Sequence, residues 1–244
     1  MKVLALADVP DVPLARVADE TAAQAAGAEL VLGYQQERLA LWRPGGAERP
    51  LSVDFDHGAL GYRLAADRVR HERLVRAVGK ITGNGLLVDG TAGLGRDGAL
   101  LAQAGWQVTL LERQPVLQAL LADGLARYGA TAALTLVCAD SSTWLAQHPR
   151  SAEVVYLDPM FPERHKSAAV RKELRWLQWL CDNDASLHDR IEVEQTLLQA
   201  ALLAACRRVV VKRSLRAAPL AARPAASSLN GKTVRFDIYP VAAQ

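Results

Sequence analysis

The chain has 244 residues, half of them hydrophobic and 23% charged, which is enough to build a substantial core and excludes general disorder. A net charge of +3 and a pI near 8.9 give a mild basic excess that matters only where it is clustered. Three scattered cysteines (Cys138, Cys181, Cys206) without C-x-x-C, five histidines without ligand spacing, no uncharged stretch of ~18 residues, and an N-terminus that meets Asp8 before any long apolar run argue against a disulfide framework, a zinc or other metal site, a membrane span and a signal peptide, leaving a soluble cytoplasmic protein as the expectation.

Residues 1–80 read as a small α/β extension. "KVLALAD", "ELVLGYQ", "RLALWRP" and "LSVDF" are short strands, with an alanine-rich helix around 19–26 and a Pro-Gly-Gly turn at 44–46. A basic amphipathic segment, "YRLAADRVRHERLVRAVGK" (62–80), follows and is expected to be helical. From 81 to 244 strands alternate with helical patterns, as in an α/β domain with a mostly parallel sheet. The strands are "LLVD" (86–89), "QVTLLE" (107–112), "LTLVCAD" (134–140), "VVYLD" (154–158) and "RRVVVKR" (207–213). Helices are predicted over 96–105, over 115–129 with proline in the first turn, and over much of 189–206. Asn230-Gly231 followed by "TVRFDIY" predicts a closing antiparallel hairpin.

"LLVDGTAGLGRDGALL" runs from strand through a glycine turn into a helix, and Gly93 to Gly98 match G-x-G-x-x-G. The context disfavours a dinucleotide: Asp89 ends the strand and three residues intervene before Gly93, so an acid stands where a pyrophosphate would lie. Glu112, Asp140 and Asp158 end the next three strands. One strand-end acid is usually a helix cap. Four in order, opened by a glycine loop, suit a ligand with a ribose, an amine and a positive centre, which describes S-adenosylmethionine. Gly93 and Gly95 let the backbone approach it, and Glu112 can accept both ribose hydroxyls.

The motifs "DGTAGLGRDGALLA", "LLER", "ADSS", "YLDPMFPERHKSAAVRKELR", "RVVVKR" and "RFDIY" resemble the ribosomal RNA small subunit methyltransferase J family, in register from about 83 to 239. That resemblance implies a class I S-adenosylmethionine-dependent methyltransferase fold, Rossmann-like with seven strands and a C-terminal antiparallel hairpin. It also implies methylation of the exocyclic N2 of a guanine in 16S rRNA. The family's cofactor positions fall on Arg96 and Asp97, Glu112 and Arg113, Ser141 and Ser142, and Asp158. Asp97 at a helix start is also favoured by the dipole, and Ser141 is equally a candidate helix cap. The chain departs from the family where a glycine-rich turn is replaced by 62–80.

Asp158-Pro159-Met160-Phe161 resembles the [DN]-P-P-[YF] loop of enzymes that methylate exocyclic amines. The Asp158 carboxylate and the Pro159 carbonyl would each accept one amine N–H, in a patch without donors because proline lacks N–H. Phe161 would stack on the base. Met160 stands where the second proline is usual. Basic residues cluster at Arg164, Lys166, Arg171, Lys172 and Arg175, along 62–80, and between Arg207 and Arg235, where eight Lys or Arg occur without an acid. Three such runs favour phosphate contact with 16S rRNA or the small ribosomal subunit. Trp176 and Trp179, three apart, read as core. Alternatives are an amino methyltransferase on another nucleic acid, for example at adenine N6, a nicotinamide-dependent dehydrogenase, and a catalytically silent RNA-binding protein.

Overall fold

The computed structural model describes residues 2–129, 131–159, 176, 180 and 187–242. The short apolar runs near the N-terminus pair as β1 (Val3–Leu6), β2 (Arg16–Val17), β3 (Leu30–Gln35), β4 (Arg38–Trp42) and β5 (Leu51–Ser52), in the order β2-β1-β3-β4-β5. Helix α1 (Glu20–Ala25) is capped by Asp19, whose carboxylate accepts the Ala22 N–H. Gln36 and Glu37 turn the β3–β4 hairpin with φ of 50° and 62°, without the Asn or Gly that normally announces such a turn.

The basic segment is not one helix. It forms α2 (Gly58–Leu64), α3 (Ala66–Val69) and α4 (Arg73–Val78), with extended backbone at Ala65 and Glu72 between them. The reason lies in its apolar spacing. Leu64, Val69 and Leu74 are buried, and residues five apart cannot share one face of a continuous helix. Breaking the chain twice turns all three inward.

The second sheet contains β6 (Leu86–Asp89), β7 (Gln107–Glu112), β8 (Leu134–Cys138), β9 (Ala152–Leu157), β10 (Ala205–Ser214), β11 (Ser227–Asn230) and β12 (Val234–Pro240), ordered β11-β12-β10-β9-β6-β7-β8. Strands β6 to β10 pair in parallel, and β12 is antiparallel to both β10 and β11. Strand β9 is buried at every position, as expected of a central strand covered on both faces. Helices α5 (Arg96–Gln103), α6 (Pro115–Arg127), α7 (Ser141–Gln147) and α8 (Leu187–Ala204) make the crossovers. Strand order reverses at β6, which has β7 on one side and β9 on the other, so the ligand crevice of such a sheet opens at the carboxyl ends of β6 and β9. Among the described residues no helix is long and apolar enough to cross a membrane.

The two sheets share a core. Val53 and Phe55 pack over α6 where Gly124 leaves room: a Cβ there would lie 2.4 Å from Val53 Cγ1. Asp123 of α6 accepts the Leu39 N–H, and Arg127 donates to the Val53 carbonyl. At the amino end of β9 buried Glu153 accepts from Thr82 N–H, Thr82 Oγ1 and Gly83 N–H and pairs with Arg207 at 3.1 Å, tying the segment before β6 to β9 and β10. Boundaries differ from the sequence pattern where charge meets a strand end. Strand β8 stops at Cys138 and β9 at Leu157, so Asp140 and Asp158 stand beyond the ladder, and β10 begins at Ala205, inside the predicted helix.

Candidate active site

The loop Gly90–Gly95 is stitched across the tips of three strands. On one side Gly90 N–H donates to the Tyr156 carbonyl, and Thr91 Oγ1 accepts the Asp158 N–H at 2.6 Å. On the other, Ala92 N–H reaches the Leu111 carbonyl and Gly93 N–H the Glu112 carboxylate at 2.9 Å. Thr91 N–H donates to Asp89, so one threonine couples the acid of β6 to the acid beyond β9. Gly93 has φ of 54°, and a Cβ there would meet nothing within 4 Å, so bare backbone faces open space. Gly98 serves packing instead, since a Cβ would strike Leu110 at 2.2 Å.

The four strand-end acids share a rim but not a state. Asp89 is 2% exposed, and burial pushes its carboxyl up to about 8, against the Thr91 hydrogen bond. Burial thus works against its charged form, so desolvation competes with the negative charge that the sequence pattern expects at the tip of β6. Glu112, also buried and raised by desolvation, accepts the N–H groups of Gly93 and Gln114 on separate oxygens. The Arg113 N–H also favours the charged form, and three donors on a carboxylate with four lone-pair sites leave room for a ribose hydroxyl. Asp140 caps α7 by accepting the Thr143 N–H, and pairs with Arg113 at 3.1 Å across the tips of β7 and β8. The cap is thus Asp140 and not Ser141. The Ser141 hydroxyl donates to the Gly90 carbonyl, bracing the glycine loop, while Ser142 is half-buried in the first turn of α7. Arg96 opens α5 on the exposed side, and Gly95 precedes it in the left-handed region.

Asp97 and Asp158 converge on a residue that the sequence pattern did not mark as part of the site. Lys212 Nζ on β10 lies 2.8 Å from Asp97 Oδ2 and 2.8 Å from Asp158 Oδ2, and Tyr156 OH donates to the same Asp97 oxygen at 2.7 Å. Burial raises Asp97, but Lys212, Tyr156 and Arg63 outweigh it and hold the carboxyl below its usual range. Asp158 is raised, chiefly by desolvation, with Lys212 opposing. Lys212 itself is raised, because its two carboxylates outweigh its own burial. The sequence carried a signal for this. A lysine after three valines in a buried strand needs partners, and Tyr156 shares its strand face with Asp158 two residues on. The Asp158 side chain remains 35% exposed, so it borders the crevice without being sealed in the interior.

Other readings are redistributed. Of the eight basic residues between Arg207 and Arg235, Lys212 belongs to this network. Arg207, Arg213 and Arg235 pair with Glu153, Glu194 and Asp237, and Arg208 donates to the Ala77 carbonyl. Those five hold the fold together. Pro159 is described and half-buried, whereas Met160, Phe161, Arg164, Lys166, Arg171, Lys172, Arg175 and Trp179 lie outside the described residues. Trp176 is buried at 4% exposure.

A strand order reversing at β6, a bare-backbone loop beside it and acids at the tips of β6, β7 and β9 define a nucleotide-type crevice of the Rossmann kind. A family model described as "Putative SAM-dependent methyltransferase" matches residues 17–241. The crystal structure of the SAM-dependent methyltransferase NGO1261 from Neisseria gonorrhoeae superposes with a TM-score of 0.70 at 24% identity, covering 98% of this chain and 96% of that one, and so shares its fold. The chain is an S-adenosylmethionine-dependent methyltransferase. It is 52% identical over 226 residues to ribosomal RNA small subunit methyltransferase J of Alcanivorax borkumensis, covering 90% of this chain and 88% of the relative. The protein of the same name in Thioalkalivibrio sulfidiphilus is 46% identical over 231 residues, covering 89% and 87%. The chain belongs to the ribosomal RNA small subunit methyltransferase J family.

Proposed function

We propose that this protein methylates the exocyclic N2 of a guanine in 16S rRNA. S-adenosylmethionine supplies an electrophilic methyl group on a sulfonium, and the residues fitting it are the Gly93 backbone, the Glu112 carboxylate, and the Arg113–Asp140 and Ser141–Ser142 rim. Asp97 acts through Lys212, and Asp89 through Thr91. A cytoplasmic location follows from the substrate.

The observation that carries the reading is the state of Asp158. Lys212 occupies one carboxylate oxygen and Thr91 fixes the backbone N–H, leaving the other oxygen, with the Pro159 carbonyl beside it in sequence, as an acceptor-only corner. An aryl amine is a poor nucleophile because its lone pair is delocalised into the ring. Two acceptors taking its two N–H groups orient it and localise that pair. Forming the N–C bond as the S–C bond breaks leaves an extra proton on nitrogen, which passes to Asp158 or to water, so no strong base is required. In a strain lacking this gene, mass mapping of 16S rRNA should show the loss of one methyl group from one guanine. Loss of an adenine methyl would favour the N6 alternative, and an unchanged map would refute the reading.

A further inference from the structure

A cleft of about 620 Å³ lies between the broken helices α2–α4 and the turn joining β11 to β12. Its lining includes Asp97 and Lys212, so it reaches the ion-pair network that holds Asp158. The charges lining it are not equivalent. Arg63 is held by Glu72 through two hydrogen bonds, and Lys212 by its carboxylates. Arg68, Arg73 and Lys232 are exposed, and among the described residues no carboxylate lies within ion-pair distance of them. Arg73 packs on the turn, where a Cβ at Gly231 would come within 3.5 Å of its Cδ, so basic groups remote in sequence meet at one mouth. There Tyr62 is 61% exposed, with the Arg68 guanidinium 3.8 Å from its ring centroid.

We infer that this cleft takes the single-stranded RNA segment carrying the target base, with Arg73 and Lys232 on its phosphates and the Tyr62–Arg68 pair as a stacking platform. The inference rests on the guanine-amine reading and names the surface that serves it. Unpaired cations spaced along a groove match a phosphate backbone, and an exposed ring braced by a guanidinium matches an unstacked base. An acidic polypeptide would use the cations but has no use for the platform. A duplex offers no free base to stack on it. The breaks at Ala65 and Glu72, required to bury Leu64, Val69 and Leu74, also turn Tyr62, Arg68 and Arg73 outward.

The test is fluorescence anisotropy with a labelled guanine-containing single-stranded RNA of about 12 nucleotides, in a salt series. The double variant Arg73→Glu/Lys232→Glu should bind at least about tenfold more weakly, with the slope of log affinity against log salt reduced by about 1 to 2. Tyr62→Ala should bind roughly tenfold more weakly with the slope unchanged. Both variants should keep the wild-type affinity for S-adenosylmethionine by calorimetry, which shows the fold intact. RNA affinity and slope unchanged in the double variant, with methylation retained, would overturn the cleft while sparing the function. A wild-type protein that neither binds nor methylates RNA would overturn both. Tighter binding of polyglutamate or of a duplex of equal length than of the single strand would also overturn the assignment.

Discussion

Asp158→Ala is expected to lower the rate of methyl transfer to 16S rRNA by about 10²–10⁴-fold, with RNA affinity and S-adenosylmethionine affinity within about twofold of wild type. The size follows from what is lost: one of two acceptors that orient the amine, in a recess where water substitutes poorly. Binding is expected to survive because the cations proposed to contact phosphate, Arg73 and Lys232, lie elsewhere. Asp158→Asn is the sharper variant, since it keeps the shape but can turn an N–H₂ toward either Lys212 or the amine. Single-turnover assays with saturating RNA isolate the chemical step, and a rate within threefold of wild type would remove Asp158 from the mechanism.

Lys212→Met is expected to move the acidic limb of the rate–pH profile upward by about one unit or more. The groups facing Asp158 fix the sign. Lys212 and Arg213 of β10 favour its charge, while Asp97 of α5, Asp89 of β6 and Tyr156 of β9 oppose it or share its surroundings, and Arg63 of α2 acts through Asp97. Burial has already raised Asp158, and removing the ammonium 2.8 Å away raises it further. The carboxylate then forms only at higher pH. Activity near neutral pH should fall tenfold or more and recover substantially as pH rises through the new limb. Lys212→Arg, which keeps the charge, should restore much of the wild-type profile. A loss equal at all pH values would mean that Lys212 only supports packing.

The sheet was legible because its strands are short β-branched runs between glycine turns and apolar-periodic helices, and because hairpin chemistry at Asn230-Gly231 is local. The broken helices were harder to see: α2–α4 have helical composition throughout, and the breaks come from a five-residue apolar spacing that matters only once a core exists to receive it. At the site, Glu112 and Asp158 were visible as acids ending apolar strands. The upward shift of Asp89 was not, because it depends on burial set by neighbours distant in sequence. Lys212 looked like one more surface cation in a basic run, since a lysine's partners on α5 and beyond β9 are a property of the fold. The contrast between Arg207, Arg213 and Arg235, which bind carboxylates, and Arg73 and Lys232, which bind none among the described residues, has the same origin.

If the corner at the tip of β9 grips an exocyclic amine, removing that amine from the substrate must stop the reaction. The most direct measurement uses a 16S rRNA fragment in which the target guanosine is replaced by inosine, which lacks only that amine, with isotope-labelled S-adenosylmethionine as donor. No label should enter the inosine fragment, while the guanosine fragment is methylated and both bind with similar affinity. Incorporation of label at that inosine would mean that the methyl goes to another atom and that the corner does not hold the reacting amine.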